Sequence, residues 1–276
     1  MIKYLVTDLD GTLFHGHGEN IFDLTKENIE AIEIAKKHGI HIIPASGRAI
    51  PYVLHLYELF DFSSDVWGAG LNGAVVYHNE TIQEHGLAID DVCRMIEIVK
   101  PHTDCYYNMQ MQDMWEQRTY YSTQAEPYFR YKKESETIKC CSVNELSMEE
   151  YIAKEKDIQI GKFSVISDTK EQSSYLESLI RKEFEGKYAI TRSSSTFLEV
   201  NNLSATKGNF IDTLVQHGFD RDEIAVIGDS FNDTYMFKKT IHSFAMNHGD
   251  ELVKQEAKYC VDSVAECIRM IIEELN

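Results

Sequence analysis

Long apolar runs are missing from this sequence. No stretch approaches the roughly 18 apolar residues that a membrane helix requires, and the apolar part of Met1 to Asp10 is too short for a secretory signal. The expectation is a cytoplasmic protein with no membrane partner. Cysteine is sparse too: the six (Cys93, Cys105, Cys140, Cys141, Cys260, Cys267) include no C-x-x-C pair, which argues against a disulfide framework or zinc site and for reduced thiols used as small apolar groups. There are four prolines, and no Pro/Gly/Ser-rich linker, repeat or low-complexity tract divides the chain. Basic residues are outnumbered, 27 against 45 acidic, for a formal charge of −18. A surface of that sign repels phosphate backbones, so nucleic acid is excluded as a general partner. Any anionic ligand needs a local cationic device.

What is present describes a folded protein. The 276 residues, 43% hydrophobic and 26% charged, suffice for one large domain or two modest ones. Apolar runs at Lys3–Asp8 and Ile40–Ala45 alternate with helix-like segments at Thr25–His38, where Ile29, Ile32, Ile34 and Ala35 are spaced along a helix, and at Pro51–Phe60. Val66–Tyr77 reads as two short strands around Asn72-Gly73. The alternation returns after Ala205, with strands at Glu223–Ile227, His242–Met246 and Lys258–Val261 between helices. Strands alternating with helices predict a mostly parallel sheet with helices on both faces, the α/β class. The middle differs: Asp104–Trp115 has the period-two pattern of a half-wet strand, flanked by helical stripes at Ile89–Val99 and Tyr175–Phe184. The expected organisation is a core of residues 1–81 and 191–276 with a second αβ domain, 82–190, inserted into it.

Chemistry concentrates at strand ends. Asp8-Leu9-Asp10-Gly11-Thr12 closes the first strand, where open α/β sheets bind ligands; taken alone it could equally be an Asp-Gly turn with solvated acids. Gly228-Asp229-Ser230-Phe231-Asn232-Asp233 follows the strand Glu223–Ile227 and brings more acids to the same edge. Helix capping explains one of those acids but not three. Carboxylates gathered at about 4 Å repel by roughly 4 kcal/mol per pair at an effective dielectric near 20. A divalent cation relieves this, and oxygen ligands around an open site favour Mg2+ over zinc. Ser46-Gly47-Arg48, after Ile40–Ala45, offers a hydroxyl and backbone N–H groups of the kind that hold phosphate oxygens. Lys207-Gly208 opens a helix and supplies a point positive charge. His15 and His17, each followed by glycine, read as loop and not as a metal pair. The aromatic and methionine side chains from Tyr106 to Tyr121 divide between core packing and a substrate surface.

These motifs, in this order along essentially the whole chain, resemble the haloacid dehalogenase (HAD) superfamily, and within it the Cof-type hydrolases, whose αβ cap is inserted between the second and third motifs. The resemblance implies a Rossmann-like core and an Mg2+-dependent phosphoric monoester hydrolase acting through an aspartyl phosphate. Asp8 would be the nucleophile and Asp10 the acid and base. Leu9, Ser46, Gly47, Lys207 and Asn232 would bind the phosphoryl group. Asp8, the Asp10 carbonyl and Asp229 would hold the metal, with Asp233 directly or through water. Asn72 and Glu199 also match, in supporting roles. Ser46 replaces a frequent Thr, Ser230 a frequent Gly, and Asn247-His248-Gly249 a typical Gly-Asn-Ala. The expected substrate is a small-molecule phosphate ester such as a sugar phosphate or phosphorylated cofactor, turned over by a monomer or homodimer. A sugar phosphomutase or phosphotransferase shares this machinery, and a non-hydrolytic module that accepts and holds phosphate is a further alternative.

Overall fold

A computed structural model describes residues 1–14, 24–60, 65–102, 105–111, 117–121, 141–143, 152–153 and 159–275, with side chains left undescribed between 103 and 151. The His15/His17 loop and the side chains from Tyr106 to Tyr121 lie outside the description.

The elements in chain order are β1 (Tyr4–Thr7), α1 (Lys26–Lys37), β2 (His41–Pro44), α2 (Ile50–Phe60), β3 (Trp67–Gly70), β4 (Val75–His78) and β5 (Glu80–Glu84). Next come α3 (Ile89–Val99), β6 (Cys105–Met111), β7 (Gln117–Tyr121), β8 (Cys141–Val143), β9 (Ile160–Ser167), α4 (Lys170–Phe184), β10 (Tyr188–Arg192) and β11 (Phe197–Asn202). The chain closes with α5 (Lys207–Gln216), β12 (Ile224–Gly228), α6 (Thr234–Phe237), β13 (His242–Met246), α7 (Glu251–Lys254), β14 (Tyr259–Val261) and α8 (Val264–Met270).

The core sheet is parallel, in the order β14-β13-β12-β1-β2. Its three inner strands, β13, β12 and β1, are covered on both faces, as parallel strands are when helices pack on each side. Successive β1 residues serve opposite layers: Leu5 packs with Ala31, Ile32 and Ala35 of α1 and with Cys267 and Ile268 of α8, whereas Val6 packs with Phe210, Ile211 and Leu214 of α5. Helix α1 corrects one detail of the sequence pattern. Its inward face is Asn28, Ala31, Ile32 and Ala35, while Ile29 and Ile34 lie in solvent, because a 3.6-residue turn carries both off the 28/31/32/35 stripe. Asn28 is fully buried and joins distant segments: its amide donates to the Leu13 carbonyl and accepts the Ala265 N–H.

The inserted body has a six-stranded sheet, β10-β11-β9-β6-β7-β8, antiparallel except for the β7–β8 pair. Val92, Met95, Ile96 and Val99 of α3 and Leu176, Ile180 and Phe184 of α4 cover one face of it. Strands β10 and β11 form a hairpin on β9, so the sheet continues past residue 190 to Asn202. Strands β3, β4 and β5 make a small antiparallel sheet, and the expected Asn72-Gly73 turn connects the first two with both residues at positive φ. Cys93, Cys260 and Cys267 are unbridged; Cys267 is buried, and Cys260 is exposed instead of serving the core.

Register positions the site. Thr7 of β1 lies opposite Ile227 of β12 and Pro44 of β2. The residues that follow therefore emerge side by side at one sheet edge, with neighbouring strands about 4.8 Å apart.

Asn28→Ala strands two buried backbone groups, and urea unfolding is expected to show a loss of about 2 kcal/mol or more. An unchanged midpoint would mean that the clamp contributes nothing.

Candidate active site

At that edge Asp8, Asp229 and Asp233 each present a carboxylate oxygen within 4.8 Å of the others. Asp8 directly follows β1 and Asp229 directly follows β12. Lys207, the first residue of α5 and fully buried, donates to Asp8 Oδ1 at 2.5 Å and to Asp233 Oδ1 at 2.6 Å. Thr206 caps that helix by accepting the Asn209 N–H. The cap fixes where the helix starts and hence where the ammonium lies. Cations are disfavoured at a helix N-terminus, and the two carboxylates offset that cost.

Asp233 differs from its neighbours. Its Oδ2 accepts the N–H groups of both Asp229 and Ser230, so its two oxygens serve the loop after β12 and Lys207. Asp229 is steered by hydroxyls: Thr12 donates to its Oδ1 and Ser230 contacts its Oδ2. Gly11, at φ +84°, comes so close that a Cβ there would lie 2.7 Å from Asp229 Oδ2. The backbone of the Asp8–Thr12 turn thus packs directly on the second carboxylate. The Asp8 Oδ2 atom and the N–H groups of Leu9 and Gly47 meet no partner among the described residues.

Ser46 is buried and Gly47 follows it at the end of β2. The Ser46 N–H donates to Ala69 and its carbonyl accepts from Asn72, while its Oγ accepts the Arg48 N–H. That leaves the hydroxyl hydrogen as its free donor. Asn232 donates from Nδ2 to Asn72 Oδ1, and its own Oδ1 is buried without a partner. The structure therefore brings Asp8, Leu9, Ser46, Gly47, Lys207, Asp229, Asn232 and Asp233 to one end of the core sheet. Asp10 sits beside them at the rim, half exposed, gripped by Arg48 through Nε at 2.6 Å and Nη2 at 2.7 Å.

Sequence reasoning missed several partners. Thr12 and Arg48 lie inside the Asp8–Thr12 and Ser46–Arg48 motifs with no role expected of them, although an arginine at a strand end beside acids is a signal for carboxylate pairing. Lys162 went unnoticed; its signal was a lone lysine in the otherwise uncharged strand Ile160–Ser167. Asn72 and Glu199 are joined by a hydrogen bond of 2.9 Å.

Electrostatics follow from burial. Loss of water pushes the Asp8 carboxyl well above its usual range, repulsion from Asp233 and Asp229 adds to this, and Lys207 opposes it. Burial and Asp233 likewise raise Asp229, against the Thr12 and Ser230 hydrogen bonds. Burial works against the Lys207 charge, but Asp233 and Asp8 outweigh it and hold the ammonium protonated. At Asp10 desolvation pushes upward, yet Arg48 prevails and keeps the carboxyl below its ordinary range.

A match to the haloacid dehalogenase-like hydrolase family spans residues 5–267. The chain belongs to that family. YxeH of Bacillus subtilis is 30% identical over 252 residues, 86% of this chain and 84% of that one. The 5-amino-6-(5-phospho-D-ribitylamino)uracil phosphatase YcsE of Bacillus subtilis is 28% identical over 276 residues, covering 97% and 95%. The fold of the HAD subclass IIB sugar phosphatase BT4131 superposes with a TM-score of 0.77 at 22% identity over 98% of each chain. A haloacid dehalogenase-like hydrolase from B. subtilis gives 0.77 at 19% over 97% and 99%. This family member is accordingly a Cof-type HAD phosphatase, a phosphoric monoester hydrolase. No helix among the described residues is long and apolar enough to cross a membrane.

The donor set fits a hard divalent cation: three carboxylates with no sulfur or imidazole, Asp8 and Asp233 buried and Asp229 half-buried, repelling one another. Raised values for Asp8 and Asp229 mean that the folded protein binds their protons more tightly than the unfolded chain. That contribution is complete below the ordinary carboxylate range and is lost as pH rises through the elevated folded values. Asp10, lowered, has the opposite sign, so the increment produced by metal isolates the cluster. Addition of MgCl2 is expected to raise Tm more at about pH 8 than at about pH 5.5, and Asp229→Asn to remove most of the increment. A Tm indifferent to Mg2+ at both pH values would contradict the assignment.

Proposed function

We propose that this HAD phosphatase hydrolyses small phosphorylated metabolites, with Mg2+ as its cofactor, through an aspartyl phosphate on Asp8. The observation that carries the reading is the buried Lys207 bridge, which holds one Asp8 oxygen and leaves Oδ2 unpartnered, facing no competing donor among the described residues. The residues suited to hold the metal are Asp8, Asp229 and the Asp10 carbonyl, with Asp233 bracing the Asp229 loop from behind. When bound, Mg2+ neutralises the carboxylates and polarises the phosphoryl oxygens.

In the first step the carboxylate of Asp8 attacks phosphorus, an O–P bond forms, and the ester oxygen departs with a proton from Asp10. In the second, water gives a proton to Asp10 and attacks the phosphoryl group, freeing Asp8 and inorganic phosphate. Arg48 holds Asp10 in the ionised form that the second step uses. For the first, the carboxyl must leave the guanidinium and gain a proton, and its position at the exposed rim gives it room to swing. Lys207, the Ser46 hydroxyl and the Leu9 and Gly47 amides supply preorganised donors for the three phosphoryl oxygens. Asn232 has one amide hydrogen committed to Asn72, which leaves one for the substrate.

The substrate class rests on two supports. The six-stranded cap sheet, with α3 and α4, reaches the phosphate loop through Lys162 and Glu199, an enclosure suited to small esters. The relative YcsE is by name a phosphatase of a small phosphoribityl compound.

With 4-nitrophenyl phosphate and Mg2+, the protein is expected to release inorganic phosphate, and Asp8→Asn to lower kcat at least about 10³-fold. In 18O-labelled water one labelled oxygen should appear in the phosphate. Equal rates for Asp8→Asn would remove Asp8 from the chemistry, and phosphate passed to an alcohol with no label would indicate a transferase.

A further inference from the structure

We propose that Lys162, supplied by the cap, is a positioning residue for the phosphate loop: its ammonium pins the Gly47–Arg48 peptide, which in turn keeps the Ser46 hydroxyl hydrogen pointed at the substrate. The inference rests on the phosphate site assigned above.

Lys162 lies on β9 and is buried, with 3% of its side chain exposed. Its Nζ donates to the Gly47 carbonyl at 2.6 Å and to Glu199 Oε1 at 2.6 Å. Glu199, on β11 and 2% exposed, accepts from Asn72 Nδ2 through its other oxygen. Asn201, two residues along β11, accepts from the same Asn72 nitrogen and donates to the carbonyls of Leu71 and Gly161. Three polar side chains of the cap sheet are therefore inserted, buried, against the two core turns that carry Gly47 and Asn72. Stability alone does not account for them, since apolar residues of similar volume commonly replace a buried ion pair at no loss.

Geometry supplies the reason. The Gly47 carbonyl and the Arg48 N–H belong to one planar peptide, so fixing the first aims the second. The Arg48 N–H donates to Ser46 Oγ at 3.0 Å. A hydroxyl that accepts there presents its single hydrogen elsewhere. The Ser46 N–H and carbonyl are already committed to Ala69 and Asn72, so the hydroxyl is the atom this arrangement delivers. The network packs closely: a Cβ on Gly47 would lie 3.1 Å from Asn72 Oδ1, 3.4 Å from Glu199 Oε1 and 3.6 Å from Lys162 Nζ. A cap that lifts from the core takes Lys162 with it, which links cap position to the grip on phosphate.

The test is calorimetric titration with inorganic phosphate in the presence of Mg2+, which needs no turnover. Lys162→Met with Glu199→Gln removes both charges together and avoids stranding either; Lys162→Gln with Glu199→Gln, a polar pair, replaces it if the first does not fold. The expected result is phosphate affinity weakened by about tenfold or more, with thermal unfolding still cooperative. In a Ser46→Ala background the same pair should cost less than about threefold, because its effect runs through the Ser46 hydroxyl. Undiminished affinity, a loss that adds in full to that of Ser46→Ala, or a parent protein that binds no phosphate would each overturn the proposal. A parent that binds phosphate with this coupling yet hydrolyses no ester would contradict the phosphatase reading and leave the present one standing.

Discussion

The buried ammonium of Lys207 is the interaction on which the rest of the structure depends. Three carboxylates with oxygens inside 4.8 Å repel one another by about 3–4 kcal/mol per pair at an effective dielectric near 20. Such a cluster persists in a folded protein when positive charge is shared among its members. Lys207 does this from the start of α5, bonded to Asp8 and Asp233. Both Asp233 oxygens accept hydrogen bonds, from Lys207 and from the loop amides, and both Asp229 oxygens meet hydroxyls, whereas Asp8 has one oxygen, Oδ2, with no partner among the described residues.

The site separates its charges by layer. In a chain of net charge −18, three cations stand around the site: Lys207 in the core, Arg48 at the rim and Lys162 in the cap. Each is paired with a carboxylate, to Asp8 and Asp233, to Asp10 and to Glu199 respectively. The pairing has different consequences in each place. Around Lys207 it holds Asp8 and Asp233 together, at Arg48 it keeps the Asp10 carboxyl below its ordinary range, and at Lys162 it leaves the ammonium bonded to the Gly47 carbonyl. The parallel register of β1 with β12 and β2 lets one sheet edge serve all three, since Asp8, Asp229 and Ser46 follow adjacent strand ends.

Much of this was legible in the sequence for physical reasons. Apolar runs alternating with helical stripes identify a doubly covered sheet, and acids placed immediately after strands can only point off its edge. The strand His242–Met246 is legible at its far end, where the apolar run Phe244-Ala245-Met246 stops at Asn247-His248-Gly249. Less visible were features set by tertiary contact. The inward stripe of α1 includes a polar residue, Asn28, and omits two isoleucines, because what it packs on is the Leu13 carbonyl and the start of α8. The cap sheet outran its expected limit because β10 and β11, though close to the core in sequence, pair with β9. Lys162 was hidden for a related reason: its partners Gly47 and Glu199 are distant along the chain, and nothing local marks a strand lysine as buried. Asp10 offered its position but not its state, since the Arg48 fork appears only when the ends of β1 and β2 are side by side.

The central claim, that Asp8 accepts phosphorus, is tested most directly by trapping. The protein is mixed with a phosphate ester and Mg2+, quenched in acid during turnover, reduced with borohydride and mapped by peptide mass spectrometry. The account predicts conversion of Asp8 to homoserine, dependent on substrate and absent from Asp10 and Asp229. An enzyme that turns over while every carboxylate in the cluster stays unmodified, or that carries the modification at another residue, would contradict it.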